Sequence, residues 1–373
     1  MKESLITQEF LRKELGAFFR DVVVMALRKP SLFAPALRIF FAQTRAARRR
    51  ARLAKRGIPV PPIMILSVTG RCNLHCTGCY ARESHGTGRE EMDDATIESI
   101  VKQASDLGIS VVLLAGGEPF LRKDELLRLA ANNPSLLFLI FTNGLMITAQ
   151  IAGMLTRYHN IVPVVSLEGD PAQTDTRRGS GVYDSLMRVA ETLVGAGVFY
   201  GMSITVTADT VDWITDDSYI DRMRGKGCGL FFFIEYIPVR KGTEHLVPTP
   251  EQRQRLLRNI NLLRRKKEAL FVAFPGDEAK YGGCLAAGRG LIHVNSYGGV
   301  EPCPFSPYSD VNLNKSMLAD ALDSAMLQKI RDNHDRLGET SGGCALWRNQ
   351  DLVKSLLRRT TEEHQSTNRP LWS

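Results

Sequence analysis

From residue 63 onward the sequence alternates between short β-rich apolar runs and longer amphipathic stretches with helical spacing. Such alternation favours successive parallel βα units, because parallel strands need a crossover and a helix commonly supplies it. The expected strands are Ile63–Val68, Ser110–Ala115, Leu136–Thr142, Ile161–Leu167, Tyr200–Val206 and Leu230–Ile237. Helices are expected between them at 94–107, 123–132, 148–158, 182–196 and 214–225, with a last one at 250–269. Thr249 suits the N-cap of that last helix, with Pro250 at its first position and Gln252 closing a capping box. These units can wind into a doubly wound sheet or curl into a barrel, and periodicity alone does not choose. In either fold the chemistry belongs at the C-terminal ends of the strands.

The 373 residues suffice for one large α/β domain with appendages. Of the net charge of +8, residues 1–57 contribute 14 Lys/Arg against 4 Asp/Glu, which leaves the body slightly acidic. No apolar run approaches the roughly 18 residues of a membrane span, and Val22–Leu27 is too short for an export-signal core. A cytoplasmic protein is therefore expected. Seven cysteines in such a chain favour metal ligation over a disulfide framework.

Directly after the first strand comes Cys72-Asn73-Leu74-His75-Cys76-Thr77-Gly78-Cys79-Tyr80. Three thiolates on one loop can converge on one metal centre, yet they leave a four-iron cubane one ligand short. An iron without a protein thiolate can bind the amino and carboxylate groups of S-adenosylmethionine. The alternative is a three-Cys zinc site, although zinc sites usually pair C-x2-C knuckles with a fourth Cys or His.

This C-x3-C-x2-C spacing, followed by an aromatic residue, resembles the radical S-adenosylmethionine (radical SAM) superfamily. Gly116-Gly117-Glu118-Pro119, at the end of the second strand, resembles that family's GGEP element. The resemblance implies a partial (β/α)6 barrel and a [4Fe-4S] cluster on Cys72, Cys76 and Cys79. It also implies S-adenosylmethionine contacts from Tyr80, Gly116, Gly117, Glu118 and Pro119, with Glu118 accepting from the methionine ammonium. Asn143, Ser166 and Glu168 at the next strand ends, and Arg188 on the following helix, are weaker candidates for the same ligand. Each could equally be an ordinary turn or a solvated helix face. The implied chemistry is reductive cleavage of S-adenosylmethionine to a 5′-deoxyadenosyl radical that abstracts hydrogen from a substrate carbon. Ferredoxin or flavodoxin would supply the electron. Arg177-Arg178 could hold an anionic substrate group or belong to the surface.

Beyond the barrel, Cys284, Gly298 and Cys303 form C-x13-G-x4-C, which resembles the opening of SPASM/Twitch auxiliary-cluster domains. Leu291–Asn295 and Val300 would be the strands of its hairpin, with Ser296–Gly299 as the turn. The resemblance implies a second [4Fe-4S] cluster on Cys284, Cys303 and Cys344. A full SPASM pattern has further C-x2-C cysteines, so the fourth ligand would be another residue or an open site; zinc or unligated core thiols are the alternative. Cys228 is expected to be structural. The division expected is 1–57 a basic helical arm, 58–270 the partial barrel and 271–373 a small Fe-S domain.

In the arm, Leu11, Leu15, Phe18, Val22 and Met25 share one helix face. Pro30 ends that helix, and a second carries Phe33, Leu37, Phe40 and Phe41 before a basic run from Arg45 to Arg56. Aromatic amphipathic helices beside cations suit the inner face of an anionic membrane; packing against the barrel or a dimer partner is the alternative. Nucleic acid is not an expected partner, since the cations lack interleaved aromatics. The function expected is radical chemistry on an unactivated C–H of a lipid or membrane-associated substrate, or alternatively of a peptide. A non-catalytic electron-transfer protein would gain nothing from a vacant iron or an ammonium-binding loop.

Overall fold

The computed structural model describes residues 2–27, 30–85, 89–276, 283–337 and 344–356. Two long helices come first, α1 (Lys2–Ala26) and α2 (Pro30–Ala54). Then follow β1 (Ile63–Thr69), α3 (Tyr80–His85), α4 (Asp94–Leu107), β2 (Val111–Gly116), α5 (Lys123–Asn132), β3 (Leu137–Thr142), α6 (Ala149–Leu155) and β4 (Ile161–Leu167). After α7 (Pro171–Arg178) and α8 (Val182–Gly195) come β5 (Gly201–Val206), α9 (Asp217–Gly225), β6 (Leu230–Glu235) and α10 (Pro250–Lys266). The chain continues with β7 (Leu270–Phe274), β8 (Leu291–Val294) and β9 (Val300–Glu301), and then short helices.

One sheet joins all nine strands in the order β7-β6-β5-β4-β3-β2-β1-β8-β9. Every pairing is parallel except the β8–β9 hairpin. The edges stay apart, so the sheet curls into a half-barrel without closing. The six expected strands and their helices are present with shifts of a few residues at their ends, and the Thr249–Gln252 capping box forms. Three strands, β7, β8 and β9, extend the sheet beyond the expected six. The helix expected at 250–269 stops at Lys266, because Lys267 turns extended, and Leu270–Phe274 pairs with β6. The expected C-terminal hairpin is not a separate layer, since β8 pairs with β1 over Ile63–Leu66.

Side chains alternate across this sheet. Leu66, Leu114, Phe138 and Ile140 point outward beneath the helices, where α4 and α5 bury Ile97 and Leu129. The inner face carries Val111, Leu137, Val164, Leu230 and Leu270, and these form one cluster with Phe19 of α1 and Ile39 of α2. Leu15, Phe18, Val22, Met25 and Phe40 pack onto the same cluster. Of the apolar face expected to meet a bilayer, Leu15, Phe18, Val22, Met25 and Phe40 therefore meet the barrel, while Phe41 is 51% exposed. Polar contacts fix the docking: Gln43 donates to the Ser110 carbonyl at 3.0 Å, and buried Arg50 donates to the Gly108 carbonyl. Burial lowers the Arg50 pKa to about 10. Both carbonyls precede β2, so α2 lies at the N-terminal ends of the strands. Leu11 is in α1, but its side chain lies outside the described residues. Among the described residues no helix is long and apolar enough to cross a membrane.

Candidate active site

The cysteine loop leaves β1 and is held at its root by the end of β2. The Gly117 N–H donates to the Thr69 carbonyl at 2.7 Å, and the Glu118 N–H to the Arg71 carbonyl at 2.8 Å. Side chains cannot be accommodated here: a Cβ at Gly116 would stand 2.2 Å from the Thr69 oxygen, and one at Gly117 would stand 2.0 Å from the Arg71 oxygen. Gly116 also has φ +123°, a backbone that favours glycine. The two glycines thus serve a backbone-to-backbone clamp on the loop that carries the cysteines.

Glu118 is fully buried, and its carboxylate is engaged from inside the protein. It accepts from the Phe120 N–H at 3.0 Å, the Thr142 hydroxyl at 2.7 Å and the Asn143 N–H at 2.7 Å. Burial pushes its carboxyl up against the opposing pull of those N–H groups. Glu118 thereby links β2 to β3, and Pro119 opens the buried turn that follows. Asn143 continues the link into the loop, since its amide donates to Asn73 Oδ1 at 2.7 Å.

Glu168 closes the other side. It is 3% exposed and accepts from Arg177 Nη1 at 2.7 Å and from Arg178 Nε at 2.8 Å. Burial opposes its ionisation, but the two guanidiniums outweigh that and hold the carboxyl below the usual range. Arg177 also donates to Thr205 Oγ1 at 2.7 Å and to the Thr77 carbonyl at 3.1 Å, and it lies over the Tyr236 ring. Thr77 returns a bond from its N–H to the Arg177 carbonyl at 3.0 Å. The arginine pair is thus built into the site and does not belong to the surface. Arg188 is the opposite case: it is exposed on α8 and donates to Ser185, because its position faces away from the barrel.

Cys72, Cys76 and Cys79 line one cavity of about 1350 Å³ together with Tyr80, Asn143 and Ser166. The same cavity runs down through the barrel to α1. Burial raises the Cys72 and Cys76 thiols, and the charges of neighbouring cysteines add to the rise. Among the described residues no three Cys, His, Asp or Glu side chains stand close enough together to bind a metal ion. The donor set nevertheless fits an iron–sulfur cluster: three soft sulfurs, on a loop held from two sides, at the mouth of one cavity. The buried Tyr236 hydroxyl, which also lines the cavity, and Glu168 Oε2 have no hydrogen-bond partner within the protein.

The radical SAM superfamily profile matches residues 66–221, which span β1 to α9. Over these residues the chain carries a radical SAM domain. It is an enzyme of that class, and the cofactors of the class are a [4Fe-4S] cluster and S-adenosylmethionine. It is 24% identical over 308 residues to the AdoMet-dependent heme synthase of Methanosarcina barkeri, covering 75% of this chain and 87% of that protein. With mycofactocin maturase MftC of Mycolicibacterium smegmatis it shares 26% identity over 314 residues, 78% of this chain and 76% of that protein. The crystal structure of Streptococcus suis SuiB bound to S-adenosylmethionine superposes with a TM-score of 0.64 at 21% identity, covering 80% and 76% of the two chains. That likeness shows a shared fold, one found in SPASM-type radical SAM enzymes.

The C-terminal cysteines lie beyond the profile match. Cys303 is buried two residues after β9, while Cys284 and Cys344 are half-buried against the main core. Cys344 caps a short helix over Ala345–Arg348, accepting from the Trp347 N–H. Tyr80 stacks edge-on against Phe305 at 5.2 Å, which joins the cysteine loop to the Cys303 segment. Burial drives its phenol pKa up. Cys228 is buried as expected; burial pushes its thiol up to about 12. Asn73, Thr205 and Tyr236 are the site residues that the sequence did not mark, while Arg177 and Arg178 were marked but left open between an anion-holding role and the surface. Tyr236 had a faint signal, as the polar residue that follows Glu235 at the end of the Phe-rich strand β6.

Proposed function

We propose that Cys72, Cys76 and Cys79 hold the [4Fe-4S] cluster and that Gly116–Pro119, Asn143, Ser166 and Glu168 surround S-adenosylmethionine. When bound and reduced by a one-electron donor such as ferredoxin or flavodoxin, this pair supplies a 5′-deoxyadenosyl radical and methionine. The protein's part is positional. Glu118 and Asn143 fix the cysteine loop from β3, Arg177 and Glu168 fix it from β4, and the apolar barrel keeps water from the reacting carbon. The three thiols at the mouth of one deep cavity are the observation that carries this reading.

Cys284, Cys303 and Cys344 are proposed ligands of a second [4Fe-4S] cluster, and residues 271–373 its supporting region. Tyr80 and Phe305 connect the two regions. The substrate is proposed to be a lipid or a membrane-associated molecule. The apolar cavity supports this, and so does the arm, whose cations would hold the protein at the inner face of an anionic membrane. A peptide substrate is the second reading, favoured by the fold shared with SuiB, a protein also solved with its precursor peptide SuiA.

The test is anaerobic: the reconstituted, reduced full-length chain should convert S-adenosylmethionine to 5′-deoxyadenosine. Absence of that product under reducing conditions overturns the assignment. Lipid and metabolite profiles of a deletion strain then separate the substrate classes, since a modified peptide would leave the lipid profile unchanged.

A further inference from the structure

One inner-facing position on each of six adjacent strands remains half-buried while its neighbours are buried: Leu113, Phe141, Ser166, Thr205, Ile234 and Val272. A packed barrel interior fills these positions with interlocked side chains. Here they face open space, and all six line the same 1350 Å³ cavity as the cysteines. A drug-sized ligand site spans roughly 300–1,000 Å³. The cavity thus has room for more than one S-adenosylmethionine.

The space is chemically two-sided. Hydroxyls are gathered on β4 and β5, where Ser166 pairs in register with Ser203 and Thr205 meets Arg177. The remaining walls are apolar, formed by strands β1–β3, β6 and β7. The floor is apolar as well, because Phe18 and Val22 of α1 and Ile39 of α2 line it. The chain's own amphipathic helices thus cover the barrel at the N-terminal ends of the strands, where the polar Asp21, His159 and Lys267 also line the cavity. The apolar face of the arm is spent on that floor. The link to lipids therefore lies inside the barrel and not in bilayer insertion.

We propose that the barrel lumen between the cofactor mouth and the α1–α2 floor is the binding site for the aliphatic chain of a long-chain lipid, with the polar end of that lipid against the β4–β5 hydroxyls. This deepens the lipid reading above and rests on it. Burying an aliphatic chain in such a lumen is favourable at about 25 cal/mol per Å² removed from water.

The probe is cis-parinaric acid, a fluorescent fatty acid, titrated into the reconstituted full-length protein with palmitate as competitor. Saturable binding at one site, displaced by palmitate, is expected. Ile63→Trp, at the base of β1, and Val272→Trp, on β7, fill the lumen and should each weaken binding at least tenfold, with iron content and circular dichroism like those of the unaltered protein. Ile63→Ala and Val272→Ala, which enlarge the lumen, should retain binding within threefold and guard against a folding defect of the Trp variants. No saturable binding by the unaltered protein, or undiminished binding by folded Trp variants, overturns the proposal. Formation of 5′-deoxyadenosine by the unaltered protein is scored separately: its failure counts against the radical reading, and failure of parinaric binding alone counts against the lumen.

Discussion

The side-chain amide of Asn143, at the end of β3, donates to Asn73 Oδ1 at 2.7 Å in the middle of the cysteine loop. The Asn143 backbone N–H is bound to Glu118, so one residue ties the loop to β2 and β3 together. Asn143→Leu removes the amide but keeps the backbone bond. A lost hydrogen bond of this kind costs about 0.5–1.5 kcal/mol, since the Asn73 partner is exposed to water. The variant should retain its iron, and its rate of 5′-deoxyadenosine formation should fall roughly 2- to 12-fold. Iron analysis and product quantification check this.

Ala substitution of Cys72, Cys76 or Cys79 should abolish 5′-deoxyadenosine formation, because no neighbouring thiol on the loop can substitute. The unaltered protein should hold about eight irons as two [4Fe-4S] clusters, and the triple Ala variant at Cys284, Cys303 and Cys344 about four. Burial raises the Cys72 and Cys76 thiols, so at neutral pH they are protonated, and ligation must displace those protons. Reconstitution should therefore become faster from pH 7 to pH 9, as iron uptake monitored by absorbance would show.

Gly117→Ala would place a methyl 2.0 Å from the Arg71 carbonyl oxygen, with backbone and no flexible side chain in the way. Overpacking of this kind costs about 1–3 kcal/mol. The barrel should still fold, with its melting temperature lowered by several degrees. The cysteine loop should be displaced, so the variant should take up less iron at the loop than Gly153→Ala, where a Cβ meets nothing within 4 Å. Equal iron content in the two variants would show that the clamp does not position the loop.

Glu168 sits between Arg177 and Arg178, and its carboxyl is held below the usual range. A depressed carboxyl contributes stability that is present above its unfolded pKa of about 4.3 and is lost as pH falls through the folded value. The unaltered protein should lose stability on acidification below pH ~4.3, and Glu168→Gln should flatten that acid limb. At pH 7 the same substitution leaves two buried cations short of their counter-charge and should cost about 3–5 kcal/mol. Urea melts across pH read both effects.

Most of the architecture was legible because alternating apolar runs and helix-spaced stretches are local signals, and parallel βα order follows from them. The site was legible where chemistry demands a spacing, as in Cys72, Cys76 and Cys79, or where backbones nearly touch, as at Gly116 and Gly117. Arg177 could be noticed but not told from a surface residue: its role depends on Glu168, Thr205 and the Thr77 carbonyl, which lies 100 residues away in sequence. β7 was hidden because Leu270–Phe274 follows a helix without a Gly or Pro boundary. An amphipathic helix announces that it has an apolar face but not what covers it, and the arm was assigned to a bilayer for that reason.

That assignment changes what truncation after residue 57 should do. Were the arm only a membrane anchor, its removal would leave the barrel intact. The structure instead places Phe19 at 2% exposure and Ile39 at 7% among inner-face residues of the sheet, and seats Gln43 and Arg50 on carbonyls preceding β2. Burial of one such side chain is worth about 1.5–3 kcal/mol, so losing several together removes much of the 5–15 kcal/mol that stabilises a typical protein. The truncated chain should be poorly soluble, or melt at least 10 °C lower, and bind the hydrophobic dye ANS through its uncovered floor. Phe19→Ala in the full chain, which creates a cavity but keeps the arm's charge, should cost about 3–5 kcal/mol and leave binding to anionic vesicles unchanged. A truncated chain that melts like the full one would return the arm to the membrane and remove the floor from the barrel.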